Sequence, residues 1–130
     1  MIEFHVEPRS GVTPYAQIVH QVRQALRLGH LVVGDQLPTV KEVAAAVAVN
    51  PNTVSKAYRE LELQGLVQAR AGRGTFVTAT LDDGSLREHA RLRRDLERWL
   101  TKARLAGLSE ESIEALVMST IHSKGAADIA

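Results

Sequence analysis

The stretch that decides the fold is TVKEVAAAVAVNPNTVSKAYRELELQG, residues 39–65. It opens on Thr39-Val40-Lys41-Glu42, a capping box: the threonine oxygen takes a free backbone N–H while the glutamate reaches back to the cap. Val40, Val43, Ala44 and Val47 then recur on one face of a two-turn helix, and their small size lets a neighbouring helix come close. The pattern breaks at Ala48-Val49-Asn50. Asn50 is a good cap, and Pro51 suits the first helical position, where a missing N–H costs nothing. A second helix therefore starts almost where the first stops. Val54, Ala57, Tyr58 and Leu61 form its inner stripe, and Gly65 ends it. Two short helices joined by a three- or four-residue turn make a helix-turn-helix.

Upstream, Thr13 caps a helix that begins at Pro14, and Gly29 stops it. Tyr15, Ile18, Val19, Val22 and Leu26 give this helix one apolar face. The connector LVVGDQLP (31–38) reads as a turn at Gly34-Asp35 with Leu37 as an apolar peg. Downstream, Leu66–Arg70 and Thr75–Thr78 read as short strands joined through A-G-R-G, whose glycines supply the positive φ of a hairpin. A hairpin directly after a helix-turn-helix is a wing.

A seam follows at Thr78–Ser85, TATLDDGS, and beyond it the pattern is all helical. A long helix is expected from Ser85 to Ala106. Leu92, Leu96, Trp99, Ala103 and Ala106 step by four and three along a heptad-like seam. Gly107 closes it, and Ser109 caps a last helix whose apolar face is Ile113, Leu116, Val117 and Ile121. Glu110 and Glu111 sit at its favourable dipole end, and a frayed end is expected over KGAADIA. The fold class is thus mostly α with a small β wing. Residues 1–78 form a winged helix-turn-helix domain, 79–84 a linker, and 85–130 a helical hairpin suited to dimerisation.

Composition narrows the chemistry. The 130 residues are 45% apolar and 24% charged, the ordinary balance of a soluble globular protein. The longest apolar run, Val43–Val49, is far short of the ~20 residues of a membrane span. MIEFHVEPRSG carries two acids and no apolar core, so no signal peptide is read there, and a cytoplasmic protein is expected. With no cysteine, disulfides, thiolate metal sites and a thiol nucleophile are excluded. His5, His20, His30, His89 and His122 show no metal-ligand spacing, and no Ser-His-Asp order stands out. GRGTF precedes a strand and is too short for a dinucleotide loop. No catalytic residue, metal or cofactor is expected.

Net charge is +1: residues 1–80 hold eight Lys/Arg against six Asp/Glu, and residues 81–130 eight against nine. Any nucleic-acid binding must come from a local patch. The second helix of the pair supplies one. Asn50, Asn52, Ser55, Lys56 and Arg59 project away from its apolar stripe, short and polar at the amino end where a recognition helix meets base edges. Asn suits adenine, and Ser or Thr accepts several partners. Arg70 and Arg73 flank the hairpin, and glycine lets its backbone approach closely. The bland reading is that Asn50 only caps and that Lys56 and Arg59 are only solvated.

The blocks PYAQI (14–18), GDQLPTVKEVA (34–44), VNPNTVSKAYRELELQG (49–65) and GRGTFV (72–77) resemble the DNA-binding domain of GntR-family transcriptional regulators, over roughly residues 8–78. The short helical tail resembles the YtrA-like subfamily, whose members lack large effector-binding domains. The resemblance implies DNA contacts from Thr39, Lys41, Asn50, Asn52, Thr53, Ser55, Lys56, Arg59, Arg70, Gly72, Arg73 and Gly74. Lys41 stands where the family usually has a phosphate-contacting Arg, so the charge stays and the bidentate fork is lost. Many relatives place an Arg near Pro51 or Ser55, and its absence implies a different operator.

The expected function is that of a homodimeric bacterial repressor reading a palindromic operator in double-stranded DNA. A transporter operon is the target the subfamily implies. Leu92, Leu96, Trp99, Ala103, Ile113, Leu116, Val117 and Ile121 are the candidate dimer interface. A small-molecule effector, if there is one, is expected between tail and winged domain. The basic stripe Arg87, Arg91, Arg94, Arg98 and Lys102 reads first as a solvated face laced by Arg91–Asp95 and Arg93–Glu97, and otherwise as a phosphate or partner surface. Two other classes stay open: a winged-helix protein–protein module, and a small-ligand enzyme, for which no carboxylate or histidine cluster speaks.

Overall fold

The structure, a computed structural model, describes residues 2–82 and 86–129, with side chains over 2–82 and 88–123. The elements are α1 (Pro14–Arg27), α2 (Val40–Val47), α3 (Pro51–Leu63), β1 (Val67–Arg70), β2 (Gly74–Val77), α4 (Leu86–Leu105) and α5 (Glu110–Ile129). They divide into two compact units, Met1–Leu86 and Arg87–Ala130.

In the first unit the caps are where the sequence puts them. Thr13 Oγ1 accepts from the Ala16 N–H at 3.2 Å. The capping box of α2 is complete: Glu42 N–H donates to Thr39 Oγ1 at 3.1 Å, and Thr39 N–H to Glu42 Oε1 at 3.3 Å. Asn50 Oδ1 accepts from Asn52 N–H at 2.8 Å. The three residues between α2 and α3 turn because Ala48 takes a left-handed conformation, φ 55 and ψ 47. A β-carbon makes that conformation costly by roughly 1–2 kcal/mol, so the tight helix-turn-helix junction is held by its neighbours.

Helix α3 packs against α1, α2 and β1. Ile18, Val22 and Leu26 of α1 meet Val54, Ala57, Tyr58 and Leu61 of α3, with Val43 and Ala44 of α2 and Leu66, Val67 and Val77 of the hairpin closing the core. The Tyr58 hydroxyl donates to the Pro38 carbonyl at 2.6 Å in this buried setting.

Strands β1 and β2 are antiparallel in the register Val67↔Val77 to Arg70↔Gly74. The connector does more than turn. Gly34 N–H donates to Val77 O (2.9 Å), Val77 N–H to Asp35 O (2.8 Å) and Leu37 N–H to Thr75 O (2.9 Å). Residues 34–37 thereby cover the free edge of β2, with Gln36 bridged to Phe76. An open edge would otherwise offer unpaired N–H and C=O groups.

The first residues also belong to the fold. Ile2, Phe4 and Val6 pack against the core while Glu3, His5 and Glu7 face out. Two glutamine amides on α1 stand in for a neighbouring strand. Gln17 accepts from Glu7 N–H (2.8 Å) and donates to Glu7 O (2.9 Å). Gln21 does the same with His5, at 3.2 and 2.6 Å.

In the second unit, Gly107 (φ 94) ends α4, and Ser109 Oγ caps α5 by accepting from Ser112 N–H at 3.2 Å. Ala103 and Ile113 are buried, Trp99 and Val117 half-buried. Leu92, Leu96, Leu116 and Ile121 are 60%, 50%, 45% and 58% exposed. The frayed end expected from Lys124 and the Arg87 side chain lie outside the described side chains. One expected ion pair is corrected. Arg93 does meet Glu97 at 3.2 Å, but Arg91 reaches Glu88 (3.9 Å) and Asp95 takes Arg98 (3.5 Å) instead. Both are three residues apart, spacing that places side chains over the same turn as well as four does.

Tyr58→Phe leaves the Pro38 carbonyl buried without its donor. A loss of about 1–3 kcal/mol is expected from urea melts at neutral pH. Burial, and then the Glu42 carboxylate, push the Tyr58 hydroxyl above its ordinary range. The folded pKa therefore exceeds the unfolded one, and this residue's contribution is intact below pH ~10 and lost as pH rises beyond it. The variant should show a shallower alkaline fall than the parent in paired melts.

Candidate nucleic-acid interface

Helix α3 shows its polar side at the amino end. Asn50, Asn52, Lys56 and Arg59 are exposed, while Thr53 and Ser55 are half-buried. Asn50 spends its oxygen on the cap, so Asn52, with no side-chain bond among the described residues, is the freer amide. Pro51 and Asn50 fix where the helix starts and hence which residues lead it.

The two flanks of α3 differ. Ser55 and Arg59 line a groove toward the hairpin with Val40, Tyr58, Glu62, Ala69 and Thr75. Glu62 closes it by accepting from Ala69 N–H at 3.1 Å. Lys56 turns the other way, its Nζ 4.7 Å from the centroid of the Tyr15 ring on α1. Partial desolvation, and then the facing Glu60 carboxylate, raise the Tyr15 pKa, so the ring stays neutral under Lys56. Lys56, expected among the base-edge candidates, thus lies over a ring from the start of α1.

The hairpin carries Arg70 and Arg73. Arg70 lies over the Phe76 ring, 5.0 Å from its centroid. Its tip, Ala71-Gly72-Arg73, is closed by Arg73 N–H donating to Arg70 O at 2.9 Å. Gly72 and Gly74 take φ 73 and 121, which only glycine adopts easily. Thr39 and Lys41 are exposed at the amino end of α2.

Charge separates this surface from the tail. Among the described residues, Lys41, Arg59 and Arg73 pair with no carboxylate. On the second unit, Arg91, Arg93, Arg98 and Arg104 each meet an acid, the last reaching Glu110 at 2.8 Å. That bond holds the Glu110 carboxyl below its usual range. Of the tail stripe, Arg91 and Arg98 are thus paired, while Arg94 and Lys102 meet no carboxylate among the described residues. Among the described residues no group of His, Asp or Glu could hold a metal, and no helix is long and apolar enough to cross a membrane.

Sequence reasoning missed Gln36. Its Nε2 donates to the Arg73 carbonyl at 3.0 Å, reaching from the connector to the hairpin tip. No periodicity marks such a residue; only the bridge of the connector to β2 brings it there.

A capped tri-helical core, an exposed polar helix edge and a glycine-tipped basic hairpin together define a winged helix-turn-helix regulator. Residues 14–77 match the model of the bacterial regulatory proteins, gntR family. The chain belongs to that family. It is 36% identical over 112 residues, 83% of its length and 84% of the relative's, to the transcriptional repressor YtrA of Bacillus subtilis (strain 168). A crystal structure of a transcriptional antiterminator from Listeria monocytogenes EGD-e is similar at a TM-score of 0.58 and 32% identity, covering 92% of this chain and 90% of that one. The DNA-binding domain of AraR in complex with operator ORX1 is similar at a TM-score of 0.51 and 29% identity, over 58% of this chain and all of that one, 100%.

The two asparagines should separate on stability alone. Asn50→Ala removes a cap and should cost about 1 kcal/mol in chemical denaturation. Asn52→Ala leaves the cap intact and should stay within about 0.5 kcal/mol of the parent.

Proposed function

We propose that this chain is a homodimeric repressor that reads a palindromic operator, placing the amino end of α3 in the major groove and the hairpin against the flanking backbone. The observation that carries the reading is the set of unpaired cations, Lys41, Arg59 and Arg73, around the polar start of α3. The same architecture in AraR is seen with operator DNA, which supports it.

In this reading Asn52 and Ser55 meet base edges, with Asn50 and Thr53 beside them. Thr39, Lys41, Lys56, Arg59, Arg70 and Arg73 meet phosphates, and Gly72 and Gly74 let the tip approach. Phosphate contacts set register and base contacts set sequence. Residues 1–78 act as the DNA-binding domain, 79–84 as a linker and 85–130 as the dimerisation tail. The exposed Leu92, Leu96, Leu116 and Ile121 join Trp99, Ala103, Ile113 and Val117 in a two-fold, self-complementary contact. Two copies then present half-sites about one helical turn apart, ~34–36 Å, or a multiple. The setting is the cytoplasm, and a transporter operon is the target that the YtrA-like resemblance suggests.

Two measurements test this. On a duplex selected by the protein from a random pool, log affinity should fall with log salt by ~0.9 per phosphate contact, and a slope near zero removes the DNA reading. Asn52→Ala should lose about 1–3 kcal/mol on that duplex and little on random DNA if it reads a base. Equal loss on both makes it a positioning contact.

The tail is tested separately. Leu96→Glu places a charge in the seam, and sedimentation should show a folded monomer with weaker operator binding, since two-point engagement is lost. A parent that is itself monomeric, or a variant that still dimerises, moves the interface elsewhere.

A further inference from the structure

The hairpin tip is a three-residue turn with Gly72 inside it and Gly74 after it, both at positive φ, closed within the hairpin by the Arg73 N–H donating to Arg70 O. Among the described residues, one hydrogen bond from outside the hairpin reaches it: Gln36 Nε2 to the Arg73 carbonyl at 3.0 Å. Two more observations show that this bond is built into the fold. Gln36 is bridged to Phe76, so its backbone is fixed against β2. A β-carbon on Gly74 would lie 2.5 Å from Gln36 Nε2, so the amide occupies the space that glycine leaves open. The carbonyl that is held belongs to the residue whose guanidinium is unpaired at the tip.

We propose that Gln36 is a positioning residue for DNA recognition: it clamps the backbone of Arg73 so that this side chain is delivered to the duplex from a preformed tip. The proposal rests on the DNA-binding reading above. A flexible tip would have to be ordered on binding, at a cost in affinity; a clamped one is ordered beforehand. Gln36 acts through Arg73 and makes no base or phosphate contact of its own.

Gln36→Met keeps the length of the side chain and removes the donor. Gln36 is exposed, so the melting temperature should not move. The clamp itself is read without DNA: 15N heteronuclear NOE values across residues 71–74 should fall in the variant, and unchanged values overturn the proposal. With DNA, the parent, Gln36→Met, Arg73→Ala and the double variant are titrated with salt on the duplex selected by the parent. Gln36→Met should weaken binding and lower the salt slope toward that of Arg73→Ala, by up to ~0.9 for each phosphate that is no longer neutralised. In the Arg73→Ala background it should have no further effect. Full additivity would mean that Gln36 touches DNA itself, and unchanged affinity would mean that the tip needs no clamp; either overturns the proposal. Should Arg73→Ala alone change neither affinity nor slope, the hairpin does not dock, and it is the docking reading that falls first.

Discussion

The winged unit hangs on one buried hydrogen bond, from the Tyr58 hydroxyl of α3 to the carbonyl of Pro38. Pro38 stands where the connector divides its work. One residue on, Thr39 opens the capping box of α2. One residue back, Leu37 donates its N–H to Thr75 of β2. The bond therefore ties the recognition helix, the helix before it and the hairpin to a single point. A buried carbonyl must find a donor, and a tyrosine hydroxyl reaching twenty positions back is long and rigid enough to supply it. Relative placement of helix and hairpin is what a two-part DNA reader needs. Here it is set by chain connectivity through one proline, with apolar packing around it.

Much of this was legible because local chemistry and tertiary need agreed. Thr13, Thr39 and Asn50 cap, Pro14 and Pro51 start helices, and Val54, Ala57, Tyr58 and Leu61 go inward. Two features stayed hidden, each for a physical reason. The pairing of 34–37 with β2 shows no alternation in sequence, since Gly34 and Pro38 bound a piece too short to show a period. The left-handed Ala48 could not be foreseen, because nothing in alanine prefers that conformation and only packing imposes it. The segment at 2–6 carries its signal openly: I-E-F-H-V alternates apolar and polar as a half-buried strand does. Its partners, Gln17 and Gln21, were not readable, since glutamine at helical spacing looks solvated until a backbone lies beside it.

The candidate site was legible in part. Helical spacing placed the polar residues on the outer side of α3 and the arginines at the hairpin, but it could not give their directions. Lys56 and Ser55 are neighbours in sequence and lie on opposite flanks of the helix, one over Tyr15 and the other in the groove beside the hairpin. A side chain's rotamer answers to what lies next to it, and the ring of Tyr15 comes from another helix.

The small net charge conceals a division of labour between the units. A chain at +1 lacks the bulk attraction of a strongly basic nucleic-acid binder. Helix α4 is rich in arginine yet spends much of that charge internally, on Glu88, Asp95 and Glu97 three or four residues away. Exposed pairs of this kind add little stability, well under about 1 kcal/mol each. Helix α4 still holds seven Lys/Arg against three Asp/Glu, and residues 81–130 come out at −1 only through the acids outside it. In the proposed DNA-bound reading, Lys41, Arg59 and Arg73, which pair with no carboxylate among the described residues, supply the charge that favours the orientation in which Asn52 faces the bases.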